Sequence, residues 1–336
     1  MGMRKNANSR RSSLDSARAE ASRDGALGRH ATHPGHIPWR GWWQVIRRTY
    51  LEMISDRISL VAAGCAFYAT LALFPAITML ISIYGLMFDP TTVEPQLQVL
   101  AGLLPPAAFT LIAERVHTLV SVGKATLGLN LLVGTAIALW SASTGTKSLL
   151  SALNMAYEET ERRSFLRFQA TGLIMTLCGI LGAALALAIL VFMPMAIEFV
   201  GLGAYAKALL RVASLVLLIL FVVTSLSLLY HFGPSRRSAK WHWITPGSSV
   251  ATLLWLVASV LLSLYVGHIA SYDASYGPLG AVVGVMMWFW VSAYAVLLGA
   301  ELNAELELQT SEDTTTGPPK PIGQRGAFVA DHVAED

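Results

Sequence analysis

Six apolar stretches follow one another along the chain, each long enough for about 20 residues of helix, and more polar segments separate them. A segment that crosses a bilayer must bond its backbone groups internally, so long apolar runs with few charges predict spanning helices. The pattern predicts an all-α, polytopic membrane protein with six transmembrane helices, near Ser59–Leu86, Leu127–Leu149, Ala170–Met193, Ala208–Tyr230, Gly247–Gly267 and Leu279–Asn303.

Composition and charge support this prediction and orient it. The chain is 54% hydrophobic and only 13% charged, whereas an average soluble domain carries about 25% charged residues. Twenty Lys and Arg residues fall in the two termini and in the segments after the second and fourth spans, and four fall in the other segments. Positive residues collect on the cytoplasmic side, so both termini are predicted to be cytoplasmic. The net charge of +3 is too small to indicate a nucleic-acid partner.

The second span becomes polar without ending, over the stretch from Trp140 to Phe165. At 3.6 residues per turn its polar side chains fall on two adjoining helix faces, which cannot face acyl chains cheaply. They are therefore predicted to turn toward other helices or toward water, as substrate-path or helix-packing residues. The first face holds Ser141, Thr144, Ser148 and Ser151, and the second holds Ser143, Lys147 and Asn154.

The sixth span ends in a polar run that contains Glu301 and Asn303. Glu301 is a candidate partner for a buried cation, with Lys147 or Arg57 on the other side. The equally weighted alternative is that Glu301, Glu305 and Glu307 simply begin a solvated tail.

Glycines mark candidate packing points, and a proline marks a candidate hinge. Pro75 interrupts the backbone hydrogen bonding of the first span, so it predicts a kink. The kink is a candidate hinge, although helix packing alone also explains a proline at this position. Small residues permit close helix crossing, and the candidates are Gly64, Gly280 and Gly284. Cys65 and Cys178 lie in apolar runs, and no metal-ligand spacing, catalytic cluster or cofactor motif is found.

Outside the spans, residues 1–38 are predicted to be a disordered basic tail and residues 308–336 a disordered tail. Residues 39–307 form the membrane domain. It begins with a helix over 39–55 lying in the headgroup region, and an amphipathic extracytoplasmic segment, a cover or a lid, occupies 88–126. The predicted lipid-headgroup anchors are Trp39, Trp43, Arg47, Arg48, Arg236, Arg237 and Lys240.

Several motifs follow one another along the predicted membrane domain: FYATLALFP, SASTGTKSLLSALNMAYEETERRSF, YHFGP with ITPG, and SYGPLGAVVGVMMWFWVSAYAVLLGAELNAE. Their order resembles that in the YihY/virulence factor BrkB family of bacterial inner-membrane proteins, and the resemblance covers about Arg47 to Leu306. The resemblance implies six spans, cytoplasmic termini and a location in the inner (plasma) membrane. It supplies no established activity, because members once labelled ribonuclease BN are now generally regarded as misassigned. Related proteins have been linked to serum resistance and to lipid or lipopolysaccharide export.

Three functions of different classes follow. The first is a transporter or a translocator of lipids or envelope components that uses the polar face with Lys147, Asn154 and Glu301. The second is an envelope scaffold in which the same residues only fasten helices. The third, a ribonuclease, is disfavoured because the histidines are scattered and no HxHxDH run exists. Membrane lipids are the expected partners, and a homo-oligomer is allowed.

Overall fold

The computed structural model describes residues 24–87, 124–199, 204–268 and 278–334, and these residues form helices joined by short connections. Within those ranges, extended backbone is paired at one antiparallel bridge, between Ala239 and Thr315. After a 3-10 turn at Pro34–His36, the helices are α1 (Trp39–Ser55), α2 (Ile58–Met87), α3 (Lys124–Ala156), α4 (Phe165–Phe199), α5 (Ala204–Phe232), α6 (Trp241–His268), α7 (Pro278–Leu308) and α8 (Phe328–Asp331).

Each of the six long helices, α2 to α7, overlaps one predicted span. Within the described ranges, four segments are long and apolar enough to cross a membrane: Phe165–Ala186, Ala208–Phe232, Trp241–Tyr265 and Val282–Leu308. A fifth such segment is present if two helical stretches that meet at a bend of 62° are taken as one broken span, namely Trp39–Ser55 and Ile58–Leu73. The protein is therefore an all-helical membrane protein with four or five such segments, and the sixth span stays a prediction.

The helices pack with α2 between α3 and α7, while α6 lies against α7 and α4 and α5 complete the bundle. Many large apolar side chains on α4, α5 and α6 are exposed, including Leu181, Leu220 and Leu261. Apolar exposure on this scale is unusual for a soluble protein and is expected where acyl chains are the solvent.

The main core lies at one end of the bundle, which we call the terminal face. It comprises residues 24–38, 157–164, 233–240 and 309–334 together with the helix ends that they join. Small residues on three helices, such as Ala62, Ala156 and Ala300, let the helices approach closely around Tyr157 and Tyr230, which are fully buried.

Both predicted disordered tails are ordered where the structure describes them, which corrects the sequence prediction. Residues 24–38 hold the buried Ala31 and Ile37, and Gly41 of α1 is so close to the Leu27 carbonyl that a Cβ there would clash. Residues 309–334 are equally well packed, since Thr314 and Val329 are fully buried. Polar composition suggested disorder, but these segments complete the core. Residues 1–23 and 335–336 lie outside the described residues.

The C-terminal segment, residues 309–334, is held by buried polar side chains. The guanidinium of Arg325 donates to four backbone carbonyls, those of Lys320, Glu312, Ala330 and Ser311. The carboxylate of Asp331 accepts from the backbone N–H groups of residues 323, 325 and 326. Hydrogen bonds between Thr310 and Ala31 and between Ser311 and Arg29 then tie this segment to residues 24–38. Both described terminal segments therefore lie at the same end of the bundle.

The predicted helix over 39–55 is present as α1. Trp39, Trp43 and Tyr50 are mainly exposed on it, whereas Val45 is fully buried against the terminal face. The bend to α2 places Arg57 in the left-handed region at φ 51°. Most of the predicted extracytoplasmic segment, residues 88–123, lies outside the described residues. Its last three residues, 124–126, form the first turn of α3.

Candidate functional site

Most of the polar face of α3 turns into the bundle, and two of its side chains, Ser148 and Lys147, contact neighbouring helices. Ser143 is buried, the Ser148 hydroxyl lies 3.6 Å from the Cys65 sulfur on α2, and Thr144 donates to the carbonyl of Trp140 in its own helix. Ser141 is half-buried. Ser151 is exposed near the end of α3, and its role as a substrate-path or helix-packing residue stays a prediction.

Lys147 pairs with a residue that the sequence analysis did not consider. Its Nζ donates to Oε1 of Gln169 on α4 at 2.6 Å and lies 5.4 Å from the ring centroid of Trp140. The expected ion pair between Lys147 and Glu301 is absent from the described structure, because the lysine points toward α4 rather than α7.

Asn154 connects the ends of three helices. Its Nδ2 donates to Glu161 at 3.0 Å, and its Oδ1 accepts from the backbone N–H of Ser235 at 2.7 Å. Arg163 also donates to Glu161, through its side chain and its backbone. Burial alone would raise the pKa of Glu161, but the hydrogen bonds from Arg163 and Asn154 outweigh it and lower the pKa to about 2. Asn154 therefore fastens loops rather than lining an open path.

The carboxylates at the end of α7 are buried, so the interpretation as the start of a solvated tail is wrong. Glu305 accepts from Nε of Arg48 at 2.5 Å, and Arg48 also donates to Gln309 at 2.6 Å. Glu307 accepts twice from Arg236, at 2.6 and 3.1 Å, and neither side chain of this pair is more than 1% exposed. Arg48 and Arg236 therefore serve the core, not lipid headgroups as predicted.

Glu301 occupies the least compensated position. The side chain is 3% exposed, and its Oε1 has no hydrogen-bond partner in the described parts of the chain. The Glu301 side chain also meets the side chain of Asp56, which lies at the bend between α1 and α2. Ionised carboxylates only accept hydrogen bonds, so a bond between two carboxyl groups requires a proton on one of them. Two carboxyl groups, of Asp56 and Glu301, therefore meet at the bend, and that of Glu301 is buried.

Next to this carboxyl pair lies a group of polar atoms that are not fully used. Oδ1 of Asn303 accepts from the Gly247 N–H at 2.8 Å, whereas Nδ2 of Asn303 and the Tyr157 hydroxyl make no hydrogen bond of good geometry to any described residue. The Arg236 guanidinium lies 4.1 Å from the centroid of the Tyr157 ring. Burial raises the pKa of Tyr157 well above its usual value although Arg236 opposes the shift, so this hydroxyl stays neutral.

The remaining predicted anchors differ in their surroundings. Trp39, Trp43 and Arg47 are exposed on α1, as an interfacial role requires, and that role stays a prediction. Lys240 instead donates to the Asp313 carbonyl at 2.6 Å within the terminal face. Arg237 is half-buried, and its Nη1 is buried without a hydrogen-bond partner in the described ranges.

The close helix crossing lies at glycines other than those predicted. A Cβ at Gly299 on α7 would lie 2.6 Å from the Gly247 carbonyl of α6 and 2.6 Å from the Tyr230 hydroxyl. A Cβ at Gly64 or Gly284 would meet nothing within 4 Å of described atoms, so the packing prediction is wrong for these two. The surroundings of Gly280 and of the Pro75 side chain lie outside what is described, and α2 continues as a helix past Pro75.

Several residues of the site were missed from the sequence. No chemical motif or apolar pattern singles out Asp56, Gln169 or Tyr157, and charged residues follow Tyr157 closely in sequence. One signal was available: polar residues alternate with Ala and Leu from Glu301 to Gln309 inside a continuous helix. Such alternation places polar groups on all sides of a helix, which requires protein partners on every side when that helix end is buried.

This architecture, with long apolar helices and a polar terminal face, can be compared with known proteins. The family model of virulence factor BrkB matches residues 49–322. The chain belongs to the virulence factor BrkB family. This BrkB family match includes α2 to α7, both halves of the carboxyl pair and the first part of the C-terminal segment.

Relatives of this BrkB family member are membrane proteins or carry a nuclease-like name. The ribonuclease-like protein YfkH of Bacillus subtilis is 32% identical over 254 residues, which is 73% of this chain and 88% of that protein. A UPF0761 membrane protein of Albidiferax ferrireducens is 28% identical over 82% of this chain and 64% of its own length. Another, of Pseudoalteromonas translucida, is 23% identical over 82% of this chain and 88% of its own. No solved structure matches the chain.

Proposed function

We propose that this BrkB family protein is a six-span transporter or lipid translocator of the inner membrane, with both termini cytoplasmic. The distribution of Lys and Arg supports this orientation. The helix ends support the even number of crossings, because α2, α4 and α6 begin at the terminal face and α3, α5 and α7 end there.

The observation that carries the transport proposal is the carboxyl pair of Asp56 and Glu301. A buried ionisable group in a membrane helix is costly and usually marks an ion or proton pathway. Glu301 retains a carboxyl oxygen with no hydrogen-bond partner in the described parts of the chain, and Tyr157 lies close enough to interact with both Asn303 and Glu301. In this proposal the carboxyl pair carries a proton that can be released, and a polar group can then bind in its place.

Further carboxyl groups lie around Glu301. They are Glu52 on α1, Glu158 after α3, and Glu305 one helical turn away on the same helix, α7. Arg48 neutralises Glu305 and Arg236 neutralises Glu307, so neither cation is available to Glu301. Loss of the proton would leave two adjacent negative charges in a buried site, which favours a coupled change of conformation or of occupancy.

The test is lipid movement in liposomes that contain the purified protein. Fluorescently labelled phosphatidylglycerol is the probe, and dithionite quenches the label in the outer leaflet. We expect the wild-type protein to bring inner-leaflet label to the surface faster than protein-free liposomes do, and this rate to change with pH. Glu301→Gln, which fixes a neutral side chain of the same size, is expected to abolish the acceleration.

The matched control is Arg47→Gln, an exposed position on α1. It should leave the rate unchanged, and all variants should elute and unfold as the wild type does. A wild-type rate equal to that of protein-free liposomes, or an unchanged rate in Glu301→Gln, would overturn the proposal.

A second candidate function, an envelope scaffold, is favoured by the satisfied part of the polar face. Lys147 and Asn154 both have close protein partners, as fastening residues should. The two functions separate on Lys147→Met. If the polar face carries substrate, lipid movement falls while stability changes little. A scaffold instead predicts that the melting temperature falls, and that no variant changes lipid movement above background.

Nuclease activity is not part of our proposal. Within the described ranges, no group of three or more His, Cys, Asp or Glu side chains is placed to hold a metal ion. A metal-dependent cleavage of RNA by the purified protein, lost in Glu301→Ala, would contradict our assignment.

A further inference from the structure

A basic cleft opens on the terminal face between two connections, residues 157–164 and residues 233–240. It has a volume of about 490 Å³, and four arginines line it: Arg162, Arg163, Arg236 and Arg237. Phe232, the last residue of α5, and Gly326 of the C-terminal segment complete its walls. This cleft is distinct from the carboxyl pair, which lies between α2 and α7.

Two of the four guanidinium groups are already neutralised. Arg163 donates to the Glu161 carboxylate at 2.8 and 2.9 Å, and Arg236 is buried in its pair with Glu307. These two residues shape the cleft but have little charge left for a ligand.

The other two guanidinium groups remain available. The side chain of Arg162 is 68% exposed, and its nearest carboxylate oxygen, on Glu159, is 3.9 Å away. That carboxylate already accepts from the Phe328 N–H at 2.6 Å. Arg237 lines the cleft, and no carboxylate in the described parts of the chain is within ion-pair distance of its guanidinium. Two arginines without a close counter-ion therefore line this cleft, which suits it to an anion.

The surroundings of the cleft show which kind of anion fits. It lies where α5 ends and α4 begins, at the ends of two segments apolar enough to cross a membrane. Phe232 is 52% exposed in the cleft wall, and Phe165 and Leu166 are 74% and 78% exposed on the first turn of α4. Positive groups beside an exposed apolar surface at a helix end match a molecule with an anionic head and acyl chains.

We propose that this cleft binds the phosphate of an anionic phospholipid headgroup. Arg162 and Arg237 donate to the phosphate oxygens, while the acyl chains lie along the exposed apolar side chains of α4 and α5. The proposal does not depend on transport, because it concerns binding alone, and a protein that moves nothing can still hold this lipid.

The experiment measures lipid binding to the purified full-length protein by native mass spectrometry in detergent. Phosphatidylglycerol is the probe, and phosphatidylcholine, whose headgroup has no net charge, is the control lipid. We expect preferential retention of phosphatidylglycerol. Arg162→Gln and Arg237→Gln should each weaken this retention by roughly tenfold, since each removes a charge-assisted hydrogen bond to the phosphate.

Matched variants distinguish the cleft from general attraction to positive charge. Lys320→Gln removes an exposed cation from the C-terminal segment and should bind phosphatidylglycerol as the wild type does. Arg237→Lys keeps the charge and should recover part of the binding. Arg162 is largely exposed, so Arg162→Gln still provides the test if the Arg237 variants fold poorly.

A third probe, inorganic phosphate, separates the two possible sources of the anion. Excess inorganic phosphate that displaces phosphatidylglycerol completely would show a small-anion site and overturn the lipid assignment. Equal retention of the two lipids, or an equal loss in Lys320→Gln and Arg162→Gln, would also overturn it. Persistence of phosphatidylglycerol in excess phosphate supports it.

Discussion

Arg236 and Glu307 form a bidentate ion pair that is closed to solvent on both sides, with N–O distances of 2.6 and 3.1 Å. The Thr314 hydroxyl donates to the same carboxylate at 2.7 Å, and the Tyr157 ring covers the guanidinium. The ion pair thereby joins the connection before α6, the end of α7, the connection after α3 and the C-terminal segment.

Breaking this ion pair should be strongly destabilising. Arg236→Met leaves the Glu307 carboxylate buried without its counter-charge, which we expect to lower the free energy of unfolding by about 3–5 kcal/mol. Denaturant titration in detergent measures the loss. The double variant Arg236→Met with Glu307→Leu removes both charges and should recover much of the stability. If the two substitutions destabilised the protein independently, the double variant would be less stable than Arg236→Met alone, and that result would contradict this account.

The crossing of α6 and α7 should not tolerate even one added methyl group. Gly299→Ala directs a Cβ against the Gly247 carbonyl and the Tyr230 hydroxyl, so we expect a clear drop in melting temperature. Gly64→Ala and Gly284→Ala are the matched controls, because both positions face open space. Alanine favours a helix interior over glycine by about 0.5–1 kcal/mol, so these controls should be neutral or stabilising. Equal effects at all three positions would refute the close crossing.

Acid should loosen the connection between α3 and α4. The pKa of Glu161 is about 2 in the folded protein and about 4.5 when unfolded, so its ionised form stabilises the fold above pH 4.5. That contribution is lost as the pH falls from 4.5 toward 2. We expect the melting temperature to fall over this window, and to fall less steeply in Glu161→Gln. A pH profile that is the same in both proteins would exclude this role for Glu161.

The C-terminal segment should depend on Arg325. Arg325→Gln removes a buried guanidinium from four carbonyls, and we expect a loss on the order of 3 kcal/mol, concentrated in this segment. Hydrogen exchange of residues 309–334 measures the effect locally, with exposed Lys320→Gln as the control. Rapid exchange of this segment in the wild-type protein would contradict the packing described here.

The positions of the helices could be predicted from the sequence, but the residues that their side chains contact could not. Apolar length is a local property, so the positions of α2 to α7 and the helix α1 could be predicted before any contact was known. Partners are set by tertiary packing: nothing near Lys147 in sequence indicates that it points to Gln169 on α4. Gly247 stands beside Pro246, where it suggests only a turn, yet it lies against Gly299 inside a helix pair.

The terminal segments show a different limit. Thr, Pro, Gly and acidic residues predict disorder, because such a sequence buries little apolar area by itself. Residues 309–334 are ordered because Val329 and Ala330 fill gaps in a core that other segments supply, and because Arg325 and Asp331 bond their backbone. A compositional rule that considers the segment alone cannot include those neighbours.

The position of the C-terminal segment in the chain also has a consequence for biosynthesis. It follows α1 to α7 in sequence, yet its Thr314 hydroxyl donates to Glu307 and its Phe328 N–H donates to Glu159. A nascent chain whose long helices have already entered the bilayer thus keeps these carboxylates uncovered until translation has passed residue 328. Quality-control proteases that sample the newly inserted protein would encounter an incomplete terminal face, and stalled or shortened products should be cleared faster than finished ones.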